Sequence, residues 1–286
     1  MTSHTHGGDS MPSVPEHDAR GETADIYADI RAVLAVPLVN LVWRHLAVFP
    51  GALPWCWSTV RPLYASGAID TAALALRAGL RLPTVATIPV AHLDAIGVDD
   101  TQRRAVGAVL DAYEAGNSQN LVALTALRLA LDGGPRRVAS PGQTPPASER
   151  PMMPVTPTLP PIPAVEALAA EDGLALRTLN ALGADASVTI VASAYRHLGY
   201  WPGLLGLCAR ALEPLADVLH PAIAAAREDA RRLAAGLVGR LTLDTPDAEI
   251  TTTVEDVIDR FTGEAIGRMV VMVPLARRAL LGGPNA

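Results

Sequence analysis

Apolar positions recur at helical spacing along almost the whole of this chain. Ile26, Ile30, Val33 and Leu34 mark one face of a first helix, which must stop before Pro37. A second runs through 40–47 and breaks at Phe49-Pro50-Gly51, and a third follows to about Val60. Asp70 is placed to cap a fourth, TAALALRAGLRL. From Asp100 the stripe Val106, Val109, Leu110, Tyr113 leads to Gly116-Asn117-Ser118. Beyond it LVALTALRLALDGG is apolar on nearly every side, which marks a buried central helix stopped at Gly133. No pair of strands is legible, so the pattern predicts an all-α protein.

The same order then returns. VWRHLAVFPGALPWCWSTVRPL at 42–63 is echoed by AYRHLGYWPGLLGLCARALEPL at 194–215. From Trp43/Tyr195 to Leu63/Leu215, nine of twenty-one paired positions are identical, without a gap. VLDAYEAGNSQNLVALTALRLALD at 109–132 is mirrored by 257–280. Between the copies, ten prolines from Pro135 to Pro163 remove amide donors and forbid helix, which predicts an extended connector. The expected organisation is a polar, disordered lead-in at 1–21, a helical repeat at 22–132, a Pro-rich linker at 133–163 and a second repeat at 164–282. The repeats should pack as one unit about an approximate two-fold axis, like a homodimer fused into one chain.

Composition narrows the function. A net charge of −6 and the lack of a basic stripe argue against nucleic acid. No run approaches the roughly 18–20 apolar residues of a membrane span, and the N-terminus lacks the basic-then-apolar order of a signal peptide. The expectation is a cytoplasmic protein, with further homodimerisation left open. Cys56 and Cys208 hold equivalent places in the two copies and read as buried core thiols, not as a disulfide or a metal site. There is no P-loop, GxGxxG, HExxH, CxxC or GxSxG. Any site must be assembled from scattered residues between the copies.

Residues present in both copies are explained by shared packing, whereas a site on the axis needs groups found in one copy only. Arg44/Arg196 and His45/His197 therefore read as structural first, with capture of an anionic substrate by the arginines left open, and Trp43 and Tyr195 as core aromatics or the wall of a ligand cage. Asn117 and Asn120 face Ala265 and Arg268 in the second copy. They open the buried helix, where an amide either caps it or orients a water. Ser193 has no polar counterpart at Leu41 and either caps its helix or donates to an anion. Asp185, in LGADASVT, lies in the loop ahead of it.

IYADIRAVLAVPLVNLVWRHLA, then YEAGNSQNLVALTAL, then a second aromatic-Arg block with Trp-Pro resembles the DehI-type family of 2-haloacid dehalogenases, the group I, D,L-type enzymes. The resemblance spans nearly the whole chain between its ends. It implies an all-α single-chain pseudo-dimer with the site between the repeats, no metal or organic cofactor, and a small 2-substituted carboxylic acid as substrate. It implies hydrolysis of the carbon–halogen bond by direct water attack at C2, with inversion. Asn117 matches the asparagine that holds the water, and Ser193 the serine at the anion-binding helix start. The family aspartate that activates the water falls at Ala194 in this chain, and an aromatic three residues after the asparagine falls at Asn120. Asp185 and His197, one turn beyond Ala194, are the candidate substitute bases. Alternatives are a relative that binds a small carboxylic acid without this chemistry, or runs another reaction there, and a purely structural helical protein.

Overall fold

The computed structural model describes residues 11–133, 159–185, 188–243 and 247–282, together with the backbone of 137–138. Among them the chain forms α1 (Glu22–Leu34), α2 (Leu41–Leu46), α3 (Ala52–Ala65), α4 (Ala68–Gly79), α5 (Val90–Ala95) and α6 (Asp100–Leu131). After the Pro-rich stretch come α7 (Ala170–Ala181), α8 (Ser193–Leu198), α9 (Leu204–Leu212), α10 (Ala216–Ala235), α11 (Ala248–Arg260) and α12 (Gly267–Leu281). The protein is predominantly helical, as the periodicity predicts. One short exception corrects the expectation of no strands: Arg137–Val138 (β1) pairs in parallel with Thr242–Leu243 (β2). Two residues per strand leave no alternation to read.

Local chemistry sets the boundaries. α1 ends with Ala35 in the left-handed region (φ 53°), two residues before the proline that forbids a further turn. Gly51 and Gly203 start α3 and α9 with nearly the same backbone, φ 79° and 78°, which only glycine adopts without strain. Asp70 does not cap α4. The helix starts earlier, at Ala68 behind Gly67 (φ 73°), and Asp70 lies in its first turn.

The break expected at Gly116-Asn117-Ser118 is absent. α6 runs unbroken for 32 residues, roughly 48 Å at 1.5 Å per residue, from an Asp99 cap that accepts from the Gln102 amide. Its partner is a helical run of similar extent, Ala248–Leu281, in which α11 and α12 are joined through a π-helical turn at Phe261–Ile266. A π turn accommodates an extra residue within a helix, and the pairing shows one. Asp111 and Asp259 are 148 positions apart, whereas Arg128 and Arg277 are 149 apart. These four make reciprocal ion pairs: Arg128 Nε donates to Asp259 at 2.9 Å, and Arg277 Nε to Asp111 at 2.6 Å.

The two long runs divide the core between them. One apolar cluster joins α1–α3 to Leu121–Ala130 of α6, to α11 and to the π turn. The other joins α7–α9 to Val106–Tyr113 of α6 and to Val271–Leu280 of α12. Each cluster is thus completed by a helix from the other half of the sequence.

The lead-in expected to be disordered through residue 21 is packed from Met11 onward. The Val14 amide donates to the Arg44 carbonyl (3.0 Å), Tyr27 Oη donates to the Val14 carbonyl (3.0 Å), and His45 Nδ1 donates to the Pro12 carbonyl (2.6 Å). The end of the expected linker does the same job in the second half. His197 Nε2 donates to the Pro160 carbonyl (2.6 Å) and Arg196 to that of Pro163 (3.0 Å). MPSVP at 11–15 and LPPIP at 159–163 are therefore matching arms. Most of the expected linker, 134–136 and 139–158, lies outside the described residues, as do 1–10.

Candidate active site

α6 carries Asn117 at mid-length, beside the start of α2. A Cβ on Gly116 would lie 2.8 Å from Asn40 Oδ1, so glycine there lets the Asn40 amide reach α6. Asn40 Nδ2 donates to Asn117 Oδ1 at 3.4 Å, and both residues are buried. Asn40 is itself held from outside, because Glu16 accepts from the Val39 amide at 2.8 Å.

The two asparagines face a cavity of about 40 Å³. Leu41, Val42 and Tyr113 complete the wall contributed by the first half. The opposite wall is the extended stretch Ile190–Ala192, the first turn of α8 with Ser193 and Ala194, and the π turn with Phe261, Ala265 and Ile266. Met269 closes it. Many of these positions come in pairs: Asn40 with Ala192, Leu41 with Ser193 and Val42 with Ala194 at a spacing of 152, and Tyr113 with Phe261 at 148. In three of these four pairs only one member is polar, Asn40, Ser193 and Tyr113, so the cavity is not symmetric between the halves.

Two buried polar atoms along this lining have no hydrogen-bond partner, Asn40 Oδ1 and Ser193 Oγ. Ser193 is not the cap of α8. Ala192 occupies that place, and the serine hydroxyl is left to an occupant of the cavity. No lining residue is a carboxylate, imidazole, amine or guanidinium. Ala194, 2% exposed, lines the same cavity as Asn117.

Asn117, Ser193 and Ala194 thus share one cavity, and the other sequence candidates lie elsewhere. Asn120 is fully buried away from it, where its Oδ1 accepts from Trp43 Nε1 (3.1 Å) and from Tyr64 Oη (2.8 Å). That triad also removes Trp43 from the ligand wall; its ring packs edge-on against Trp57 at 5.5 Å. Tyr195 is buried in the second apolar cluster and does not line the cavity; burial, then Cys208, push its phenol above the ordinary value. Asp185 does not line the cavity; its side chain is 82% exposed and lies 4.0 Å from His220. His197 pins the Pro160 arm and stands edge-on to Tyr113 at 5.8 Å, outside the lining. Burial, with Arg196 adding to it, holds its pKa below the usual histidine value despite the bond to Pro160.

Asn40 and Tyr113 escape the sequence reading. The signal for Asn40 is the same asymmetry that singles out Asn117, an amide in one copy opposite Ala192 in the other. Among the described residues no cluster of His, Cys, Asp or Glu has the make-up of a metal site, and no helix is long and apolar enough to cross a membrane.

No family model matches the chain. A configuration-inverting 2-haloacid dehalogenase from Alcaligenes xylosoxydans xylosoxydans is 34% identical over 127 residues, 44% of this chain and 43% of that protein. An (R)-2-haloacid dehalogenase from Rhizobium sp. (strain NHG3) is 24% identical over 212 residues, 71% of this chain and 78% of the relative. The matches to the first curated relatives span less than half of their length. Among solved structures, a D-2-haloacid dehalogenase in complex with L-LA superposes with a TM-score of 0.71 at 22% identity, covering 94% of this chain and 96% of the other. That likeness establishes a shared all-α fold over nearly the full length.

Proposed function

We propose that this chain is a cofactor-independent hydrolase of the 2-haloacid dehalogenase type, of the DehI-like group, acting on short 2-haloalkanoic acids with its turnover limited at position 194. The observation that carries this reading is that Asn117, Ser193 and Ala194 line one small, asymmetric cavity. The curated dehalogenases that match in sequence support it. A cavity of about 40 Å³ lies far below the few hundred Å³ of most ligand pockets and leaves no room for long-chain acids.

The Ser193 hydroxyl donates to the substrate carboxylate. The Asn117 amide, steadied by Asn40, holds a water against C2 on the face opposite the halogen. As the water oxygen bonds to C2, the carbon–halogen bond breaks, halide leaves with the electron pair, and the centre inverts. The attacking water also loses a proton, which passes to solvent water because no lining side chain is suited to take it. General-base assistance is worth about 10²–10⁴ in rate, so turnover falls by that order.

Ala194 also supports a second reading, in which the pocket binds a 2-substituted carboxylate without turning it over. Halide release from both enantiomers of 2-chloropropionate separates the two. Binding by itself raises stability by about 2.7 kcal/mol at a hundred times Kd. The finer organisation belongs to the same proposal: repeats at about 22–132 and 164–282, forming a single-chain pseudo-dimer in the cytoplasm. The reciprocal Asp111–Arg277 and Asp259–Arg128 pairs support it.

A further inference from the structure

Arg268 is fully buried, and among the described residues no carboxylate pairs with it. Its Nη1 donates to the Asn180 carbonyl and its Nη2 to Asn180 Oδ1 at 3.2 Å, while Nε has no partner. A buried cation without a directly paired counter-charge is costly, so its retention asks for a reason. Tethering alone does not supply one. In the first half Gln119 does the corresponding job with a neutral side chain, donating from Nε2 to the Leu34 carbonyl at the end of α1 (3.3 Å). Gln119 and Arg268 stand 149 positions apart, the spacing that holds beyond the π turn.

The Arg268 network leads directly to the cavity wall. Asn180 Oδ1, which accepts from Arg268, also accepts from the Ala192 amide at 3.0 Å, and Asn180 Nδ2 donates to the Ile190 carbonyl at 3.1 Å. Ile190 and Ala192 line the cavity, as do Ala265 and Met269 on either side of Arg268 in sequence. Every lining side chain is uncharged. Positive charge in such a low-dielectric setting is weakly screened and acts on whatever occupies the cavity.

We propose that Arg268 is the positioning and charge-selecting residue of this site: through Asn180 it sets the Ile190–Ala192 wall, and its charge, which no carboxylate pairs directly although Glu264 and Asp185 act on it from farther off, makes the cavity take a carboxylate in preference to a neutral amide of the same shape. This rests on the reading of the cavity as a carboxylic-acid site and adds the source of its charge selectivity.

The test measures, by calorimetry, binding of lactate, 2-chloropropionate and the neutral isostere lactamide to the intact protein and to Arg268→Gln. That variant installs the first half's own solution at this place, so its folding is expected to be intact. The protein should bind lactate more tightly than lactamide. Arg268→Gln should lose about tenfold or more in lactate affinity, with lactamide unchanged. Arg268→Lys should keep the preference for lactate. If Arg268→Gln does not fold, Arg268→Met carries the same comparison. An unchanged lactate-to-lactamide ratio in a folded, uncharged variant overturns the role of Arg268 and leaves the carboxylic-acid site standing. Failure of the unmodified protein to bind either acid overturns both.

Discussion

Asn40 donates to Asn117 across 3.4 Å, and the contact exists because the residue before Asn117 is glycine. A methyl group at 116 would meet Asn40 Oδ1 at 2.8 Å and push the amide out of line. Gly116→Ala gains up to about 1 kcal/mol in helix propensity and costs about 1–3 kcal/mol in overpacking. It should therefore melt only a few degrees lower, while the stabilisation given by lactate shrinks markedly. Paired melting curves with and without lactate check this. Undiminished stabilisation would mean that Asn40 does not steady the site.

Burial of His45 and His197 makes stability depend on pH. His45 and His197 are buried, and burial is the main cause lowering both pKa values, against the opposing effect of their bonds to Pro12 and Pro160. The unfolded chain then binds protons before the folded one does. The contribution of these histidines is fully present above their ordinary value of about 6.5 and is lost as pH falls through the lower folded values. Urea midpoints should drop from pH 7.5 to pH 5, and the double variant His45→Gln/His197→Gln should lose part of that slope. An equal slope in the double variant would assign it to other groups.

Each apolar cluster contains a helix from the other half of the sequence, which makes the halves interdependent. A chain cut at a protease site engineered between 139 and 158 should stay associated on a sizing column. Fragments that separate in native buffer would contradict the shared core.

Cys56 and Cys208 are free and fully buried. Burial raises both thiols, Cys208 to about 12, so little thiolate forms near neutrality. A thiol reagent should label neither in the folded protein and both in 6 M guanidinium. Rapid labelling of the folded protein would refute this.

The helices and their pairing are legible in the sequence because spacing and turn residues agree there. Pro37, Phe49-Pro50-Gly51 and Gly133 stop helices by their own backbone preferences. Gly116-Asn117-Ser118 misleads, since three weak helix formers read as a break, while packing of Asn40 against Gly116 carries α6 straight through. The asymmetry between copies finds Asn117 and Ser193, because a cavity between near-equivalent halves takes its polarity from groups found once. The same test misplaces Asn120, whose amide serves Trp43 and Tyr64 within its own half. Asp185 is near Ser193 along the chain and far from it in function, a distinction no spacing reveals. The arms stay hidden because MPSVP and LPPIP are irregular, and what they offer His45 and His197 is backbone carbonyls, which carry no sequence signal.

The alanine at position 194 is the proposed limit on turnover. Halide release from 2-chloropropionate should be slow for the unmodified protein and rise about a hundredfold or more, roughly 3 kcal/mol of barrier, in Ala194→Asp. Adding Asn117→Ala should remove most of that gain. A fast unmodified protein, or an Ala194→Asp variant that folds, binds the acid and gains nothing, would contradict the proposal that the missing carboxylate at 194 limits this site.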